Sequence, residues 1–319
     1  MPNADVVTIT RDRPDEIIEA VKAEIARSGA TQAQVAREAG VSPTTLTQLL
    51  SGTYAADPSR MTARLAQWLA RRREQQSRPA MPAAPAWCET ETASRIMAAL
   101  AYAHMAGDIA LIYGAAGVGK TMTARAYQAR YPQVWIATMS PATSGVATAL
   151  EEVCLALGLR EPPQSAARMM REIVSRTRDT GGLLIIDEAQ HLGHAALDAL
   201  RAIHDEAGIG LALMGNDLVY TRMTGGTRAA WLDRLWSRIG RRLRIGGTTP
   251  SDIKALASAW GLQDDAAHKR LARICRGPGG LRSAVKCLRL AQLMADGRQE
   301  TLADAHIREA WRDLTGEAA

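Results

Sequence analysis

The sequence predicts an α/β protein, a three-layer core on a parallel sheet with an all-α segment before it and another after it. Three observations carry that expectation. A glycine-rich phosphate loop stands between a short apolar run and a helical stretch. A second apolar run, some 65 residues further on, ends in two adjacent carboxylates. Around these, short apolar runs alternate with helical stretches, whereas residues 1–70 and 249–319 carry no strand pattern.

The first segment, 1–70, is read from Thr31 to Leu50 as two helices joined by a tight turn. Ala36 is small enough for close helix approach, Gly40 supplies the turn, Ser42 is an N-cap and Pro43 opens the second helix. Val35, Leu46 and Leu49 fall inward at helical spacing, and Ser51-Gly52 ends the unit. This pattern resembles the helix-turn-helix of small Cro-like repressors. The resemblance implies that Pro43, Thr44, Thr45, Thr47 and Gln48 face the major groove of double-stranded DNA. A module that contacts only protein is the alternative. The candidate reading helix has no Arg or Lys, so its own DNA affinity is expected to be modest.

Residues 71–86 read as a linker, because Pro79, Pro82 and Pro85 and the polar residues around them oppose a continuing helix. The run Arg71-Arg72-Arg73 is either a solvated helix end or a contact to DNA phosphates.

The core, 87–248, begins its strands at Ile109–Tyr113. Next come Gly114-Ala115-Ala116-Gly117-Val118-Gly119-Lys120-Thr121, which fit G-x-x-x-x-G-K-[ST], and a helix over Met122–Arg130. The glycines let backbone N–H groups turn toward phosphate oxygens, and the helix N-terminus adds partial positive charge. Lys120 reaches the β- and γ-phosphates of ATP, and Thr121 is placed to hold Mg²⁺. Further strands are expected at Val134–Met139, Leu183–Asp187, Gly210–Met214 and Leu243–Ile245. In Leu183-Leu184-Ile185-Ile186-Asp187-Glu188 the strand delivers Asp187 to Mg²⁺ and Glu188 to the water that attacks the γ-phosphate. The loop Ser140–Gly145 opens a helix. Thr143, Ser144 and that helix N-terminus either meet DNA phosphates or form an ordinary capped start. The last segment, 249–319, reads as about four short helices forming a lid or bundle, with breaks at Gly277-Pro278-Gly279-Gly280 and Asp296-Gly297.

Composition sets limits on function. No apolar stretch approaches the roughly 20 residues that span a bilayer. Cys88, Cys154, Cys275 and Cys287 show no metal spacing, and His191 and His194 lack a third ligand. Reduced thiols and the lack of a secretory apolar core lead us to expect a cytoplasmic protein. The net charge is +6 and 34 of the 39 basic residues are Arg. That suits phosphate recognition and equally suits a coding bias toward Arg.

The strand ending in Gly215-Asn216 resembles the polar sensor of AAA+ ATPases, which implies that Asn216 contacts the γ-phosphate or the attacking water. Arg234 to Arg244 packs five Arg into eleven residues just before the last expected strand. The AAA+ resemblance implies an arginine finger there, Arg238 first and Arg234 second, lent to a neighbouring subunit; a basic surface helix is the other reading. Gly279-Gly280-Leu281-Arg282 resembles the second AAA+ sensor, which puts Arg282 on the nucleotide.

The order of parts gives a closer resemblance. The helix-turn-helix, linker, phosphate loop, Ile186-Asp187-Glu188-Ala189-Gln190-His191-Leu192, Leu213-Met214-Gly215-Asn216, Met223-Thr224-Gly225-Gly226 and Arg234 to Ile239 are together similar to the phage Mu B transposition protein family. That resemblance implies ATP-dependent binding to DNA without strong sequence choice and assembly into a helical filament of copies. It also implies delivery of target DNA to a transposase, stimulation of strand transfer, and filament disassembly on hydrolysis that gives target immunity. A helicase loader, or a helix-turn-helix transcription regulator switched by ATP, shares the same core.

Overall fold

The computed structural model describes residues 13–77, 82–85, 87–224 and 235–316. It divides into two units, Met1–Ala80 and Met81–Ala319.

In the first unit, Pro14 stands in the opening turn of α1 (Pro14–Ser28), where its missing N–H costs nothing, and a left-handed Gly29 ends the helix. The Thr31 side chain caps α2 (Gln32–Ala39), and Gly40, at φ +68°, reverses the chain. The Ser42 hydroxyl then accepts from the Thr45 N–H at 3.0 Å to start α3 (Pro43–Ser51). Val21, Val35, Ala36, Leu46, Leu49, Leu65 and Trp68 form the core. Each large apolar side chain so buried contributes about 1.5–3 kcal/mol.

Helix α4 (Ser59–Ser77) corrects the linker expectation, since it continues through Arg71–Arg73. The prolines begin only at Pro79, and the intervening Arg, Glu and Gln are good helix formers. Arg72 is part of the unit: it reaches Glu24 at 3.0 Å and Glu38 at 3.1 Å, and lies 5.3 Å over the Trp68 ring.

The second unit is built on a parallel five-stranded sheet in the order β2-β3-β4-β1-β5. The strands are β1 (Ile109–Gly114), β2 (Val134–Thr138), β3 (Leu183–Asp187), β4 (Gly210–Gly215) and β5 (Ile239–Ile245). Between them run α5 (Glu91–Ala106) before β1, α6 (Lys120–Arg130), α7 (Val146–Ala156), α8 (Ala166–Thr177), α9 (His194–Ala207) and α10 (Asp217–Thr224). Side chains alternate across a strand, so one β1 feeds both faces. Ile109, Leu111 and Tyr113 join the core under α7–α9, while Ala110 and Ile112 join that under α5 and α6. The expected three layers follow directly.

Strand β5 begins four residues earlier than Leu243. Arg241 and Arg242 therefore lie on the strand itself, with Arg244, rather than before it. An edge strand tolerates such charge because one side has no neighbour, and Arg there discourages edge-to-edge pairing.

The C-terminal segment is α11 (Pro250–Ala259), α12 (Asp265–Arg276), α13 (Gly280–Arg298) and α14 (Asp304–Thr315) around a third core containing Leu271, Ala284, Leu288 and Ile307. Helix α13 runs through the expected break at Asp296-Gly297 and ends on a left-handed Gln299. A lone helical Gly costs only about 1 kcal/mol, which its packed apolar face outweighs. Fully buried Asp252 ties this bundle to α5. Its carboxylate accepts from the Thr92 N–H at 2.9 Å, the Thr92 hydroxyl at 2.6 Å and the Thr249 N–H at 2.9 Å. Burial works against the charged form of Asp252, but these bonds outweigh it and hold its pKa below the usual range. Among the described residues, no helix is long and apolar enough to cross a membrane and no metal-ligand cluster occurs.

Candidate nucleotide site

The phosphate loop leaves β1 where two backbones nearly touch. Gly114 sits at φ +125°, its neighbour Ala115 donates to the Ile245 carbonyl at 2.9 Å, and a Cβ on Gly114 would lie 2.1 Å from that oxygen. Gly117, at φ +73°, passes as close to the lid: a Cβ there would lie 1.9 Å from the Gly279 carbonyl oxygen. The Arg282 N–H donates back to the Gly117 carbonyl at 3.3 Å. Ala115, Ala116, Val118 and Gly119 complete the turn, and helix α6 begins at Lys120, two residues before the expected start. Met122, on its first turn, is half exposed.

Lys120 folds over the loop, donating to the carbonyls of Gly114 at 3.0 Å and Ala115 at 2.7 Å. Burial pulls its pKa below the usual lysine range. The carboxylates of Glu188, Asp187 and Asp217 act against that pull, and Arg282 adds to it. The Lys120 ammonium thus feels all four charges. The Thr121 hydroxyl donates to Asp187 Oδ2 at 2.6 Å, and Asp187 is 2% exposed. Two hard oxygen donors held together fit a divalent cation such as Mg²⁺. Asn216 follows β4, which lies between β1 and β3 and pairs with both.

The structure adds Gln190, which was visible in the sequence only as part of a longer motif. Its amide donates to Glu188 Oε2, while its Oε1 accepts from the Asn216 N–H at 3.3 Å. Gln190 is 6% exposed, and through these two bonds it links the catalytic and sensor candidates. Glu188 itself takes a left-handed backbone, φ +55°.

Beside the loop opens a cleft of about 620 Å³, bounded by Ala115, Ala116, Thr248, Ile253, Ala272 and Gly280. That volume suits a nucleotide-sized ligand. The buried Thr248 hydroxyl has no hydrogen-bond partner among the described residues, which leaves it available to a polar edge of such a ligand.

Lys120, Thr121, Asp187, Glu188, Asn216 and Arg282 thus gather at one end of the sheet. Arg238 does not join them. Its Nε donates to Asp205 Oδ1 at 2.7 Å, and the adjoining Ile239 pairs with Ile109, the first residue of β1. The loop begins at the other end of that strand, roughly 17 Å away at the usual rise. Arg234 lies outside the described residues, as do Gly225 and Gly226.

The expected DNA contacts fall in two places. Pro43, Thr44, Thr47 and Gln48 are exposed on α3, but Thr45 is half-buried with its hydroxyl 2.7 Å from that of Ser42. The Thr47 hydroxyl bonds the Pro43 carbonyl at 3.0 Å. Thr143 is half-buried in a short 3₁₀ turn (Pro141–Thr143) and its hydroxyl accepts from the Ser140 N–H at 2.8 Å. Ser144 is exposed, and α7 starts only at Val146, without a hydroxyl cap.

Comparison with known proteins agrees with this geometry. Residues 103–223 match the family described as AAA domain, and residues 237–314 match Mu B transposition protein, C terminal. The ATP-dependent target DNA activator B of Escherichia phage Mu is 36% identical over 281 residues, which cover 88% of this chain and 89% of that protein. The chain belongs to the Mu B transposition protein family. The activator B of Escherichia phage D108 matches to the same extent, 36% over 281 residues, 88% of this chain and 89% of that one. A Mu-like prophage FluMu DNA transposition protein B of Haemophilus influenzae is 40% identical over 268 residues, 83% of this chain and 93% of its own. Like the family's AAA domain, this core is that of an ATPase.

Proposed function

We propose that this member of the Mu B family is an ATP-dependent activator of target DNA in transposition, which assembles on duplex DNA as a filament and presents it to a transposase. The single observation that carries the reading is the division of the site. The triphosphate-binding, acidic and sensor residues meet at one end of the sheet, while Arg238 stands at the other end. An arginine so placed does not touch its own nucleotide, and in this reading it serves a neighbour's, which would link nucleotide state to subunit contact.

In this reading Lys120 and the loop amides hold the β- and γ-phosphates of ATP. Thr121 and Asp187 would hold Mg²⁺, which would neutralise phosphate charge. Asn216 orients a water, and Glu188, braced by Gln190, takes its proton as the water oxygen bonds to the γ-phosphorus and the bond to the β–γ bridging oxygen breaks. Arg238 of an adjacent copy neutralises charge on the departing group, and Arg282 carries the change in phosphate charge to the lid. Weak phosphate contacts repeated along a filament multiply into tight, salt-sensitive binding, for which a net charge of +6 is favourable. The paired helices α2 and α3 add a DNA-facing element through Thr44, Thr47 and Gln48, and Ser144 offers a core contact.

Electron microscopy of the protein with ATP and duplex DNA tests the assembly. Continuous helical coating that vanishes without ATP is the expected image. Discrete rings or isolated dimers would overturn the filament, and a pull-down that captured a replicative helicase instead of transposase would overturn the target-activation role.

A further inference from the structure

Between the two separated halves of the site runs a column of rings. Tyr113, the residue before the phosphate loop, stacks on Tyr220 with centroids 4.7 Å apart and planes at 14°. Tyr220 lies one helical turn beyond Asn216, on α10. Its ring meets that of Trp236 edge-on at 5.7 Å. Arg242 of β5 closes the column, with its guanidinium 4.1 Å over the Trp236 ring and a hydrogen bond of 3.0 Å to the Trp236 carbonyl. Trp236 is therefore held from both sides, on a segment whose preceding residue, Leu235, is 1% exposed in the core.

Arg238 hangs from this segment. Its N–H donates to the Leu235 carbonyl at 3.1 Å, so a tight turn fixes its backbone to that of Trp236. On its far side Asp205 of α9 holds the guanidinium. Asp205 is itself shared with Arg201, which also binds Asp198 at 2.8 Å. One anchor thus leads back to β1 and the sensor helix, and the other to the helix that follows Asp187 and Glu188.

We propose that Trp236 is a positioning residue for Arg238, clamped between Tyr220 and Arg242 so that a protomer's own sensor helix sets the arginine it lends to its neighbour. This rests on the reading of Arg238 as a residue acting in trans. A side chain that must reach a phosphate across an interface gains most from a rigid base, since misplacement by about 1 Å costs on the order of a hundredfold in rate. Stacked and cation–π contacts supply such rigidity without covering the guanidinium.

Mixed assemblies test it. Glu188→Gln protomers bind ATP and assemble on DNA but scarcely hydrolyse it, and still offer Arg238, whereas Arg238→Ala protomers bind ATP but offer no finger. Mixing the two on DNA is expected to restore ATP turnover. Adding Trp236→Ala to the Glu188→Gln donor should then lower the restored kcat about tenfold or more with little change in KM. The same substitution in the Arg238→Ala acceptor should cost less than about threefold, and Trp236→Phe in the donor should recover most of the rate. Equal losses in donor and acceptor, or a loss confined to the acceptor, would overturn the positioning role. So would a donor that remains fully active. If the parent mixture restores no turnover while each protomer still assembles on DNA, Arg238 does not act in trans and the inference falls with that reading. Thermal unfolding of each variant, matched to its parent, separates misfolding from misplacement; should Trp236→Ala unfold early, Tyr220→Phe and Tyr220→Ala in the donor make the same comparison one ring away.

Discussion

The nucleotide site and the helix pair of the first unit differ in where their polar groups point. Around the phosphate loop, Lys120, Thr121, Asp187 and Glu188 bond chiefly to one another, to the loop and to Gln190, with Asp187 buried and the other three half-buried. On α3, Thr44 and Gln48 face solvent, while Thr45 and Thr47 have turned their hydroxyls to Ser42 and to the backbone. The first arrangement is assembled in advance for one ligand. The second offers a general surface with few commitments, as expected of a DNA contact that reads little sequence. Substitutions should therefore act on rate and affinity in the first region, whereas in the first unit they act on stability where side chains are committed to one another, as Glu38 is to Trp68.

The largest effect is expected at Glu188. Glu188→Gln should lower ATP turnover about 10²–10⁴-fold while ATP and DNA still bind, leaving long-lived complexes in a dissociation assay. Undiminished turnover would remove Glu188 from the chemistry. Lys120→Ala follows: removing a half-buried cation opposite phosphate costs roughly 2–5 kcal/mol, read as ATP affinity by nucleotide titration and as lost ATP-dependent scattering with DNA. Asp252→Ala should cost about 2–4 kcal/mol of unfolding free energy by leaving the Thr92 and Thr249 donors without their acceptor, measured by urea denaturation. Gln190→Ala should lower turnover by about tenfold with ATP binding intact, the size of one lost orienting hydrogen bond.

The smallest effect is one of pH, in the first unit. Hydrogen bonds from Trp68 and Gln34 hold the Glu38 pKa below its ordinary 4.5, burial opposes them, and Arg72 adds to the lowering. A lowered carboxylate contributes stability that is complete above its unfolded value and is lost as pH falls through its folded one. The stability gap between the parent and Glu38→Gln should therefore be widest near neutrality and narrow below about pH 4.5 in denaturant titrations. A gap unchanged by acid would show that Glu38 contributes no charge-dependent stability.

Much of this was legible in the sequence, because the nucleotide site is encoded by contiguous motifs. A glycine loop and an apolar run ending in acids each specify strand, turn and function within about ten residues, and the parallel sheet follows from their alternation. What stayed hidden depends on partners far apart in the chain. Asp252 caps its own helix through Thr249, but its tie to Thr92, 160 residues earlier, is not local, nor is that of Gln190 to Asn216, 26 residues later. Arg72 looked like a linker residue because its partners, Glu24 and Glu38, belong to other helices. The early start of β5 escaped detection because an arginine-rich edge strand lacks the β-branched run by which buried strands announce themselves.

One backbone angle carries a cost of its own. Glu188 sits at φ +55°, a conformation that any side chain other than Asn, Asp or Gly adopts reluctantly. Local strain of this kind is on the order of 1 kcal/mol or more and survives only where surrounding contacts enforce it. Selection for thermal robustness alone would drift toward glycine at this position, and selection for turnover would drift back. The residue is thus a point of permanent tension between durability and catalysis, and a laboratory search for hardier variants is expected to discard it early.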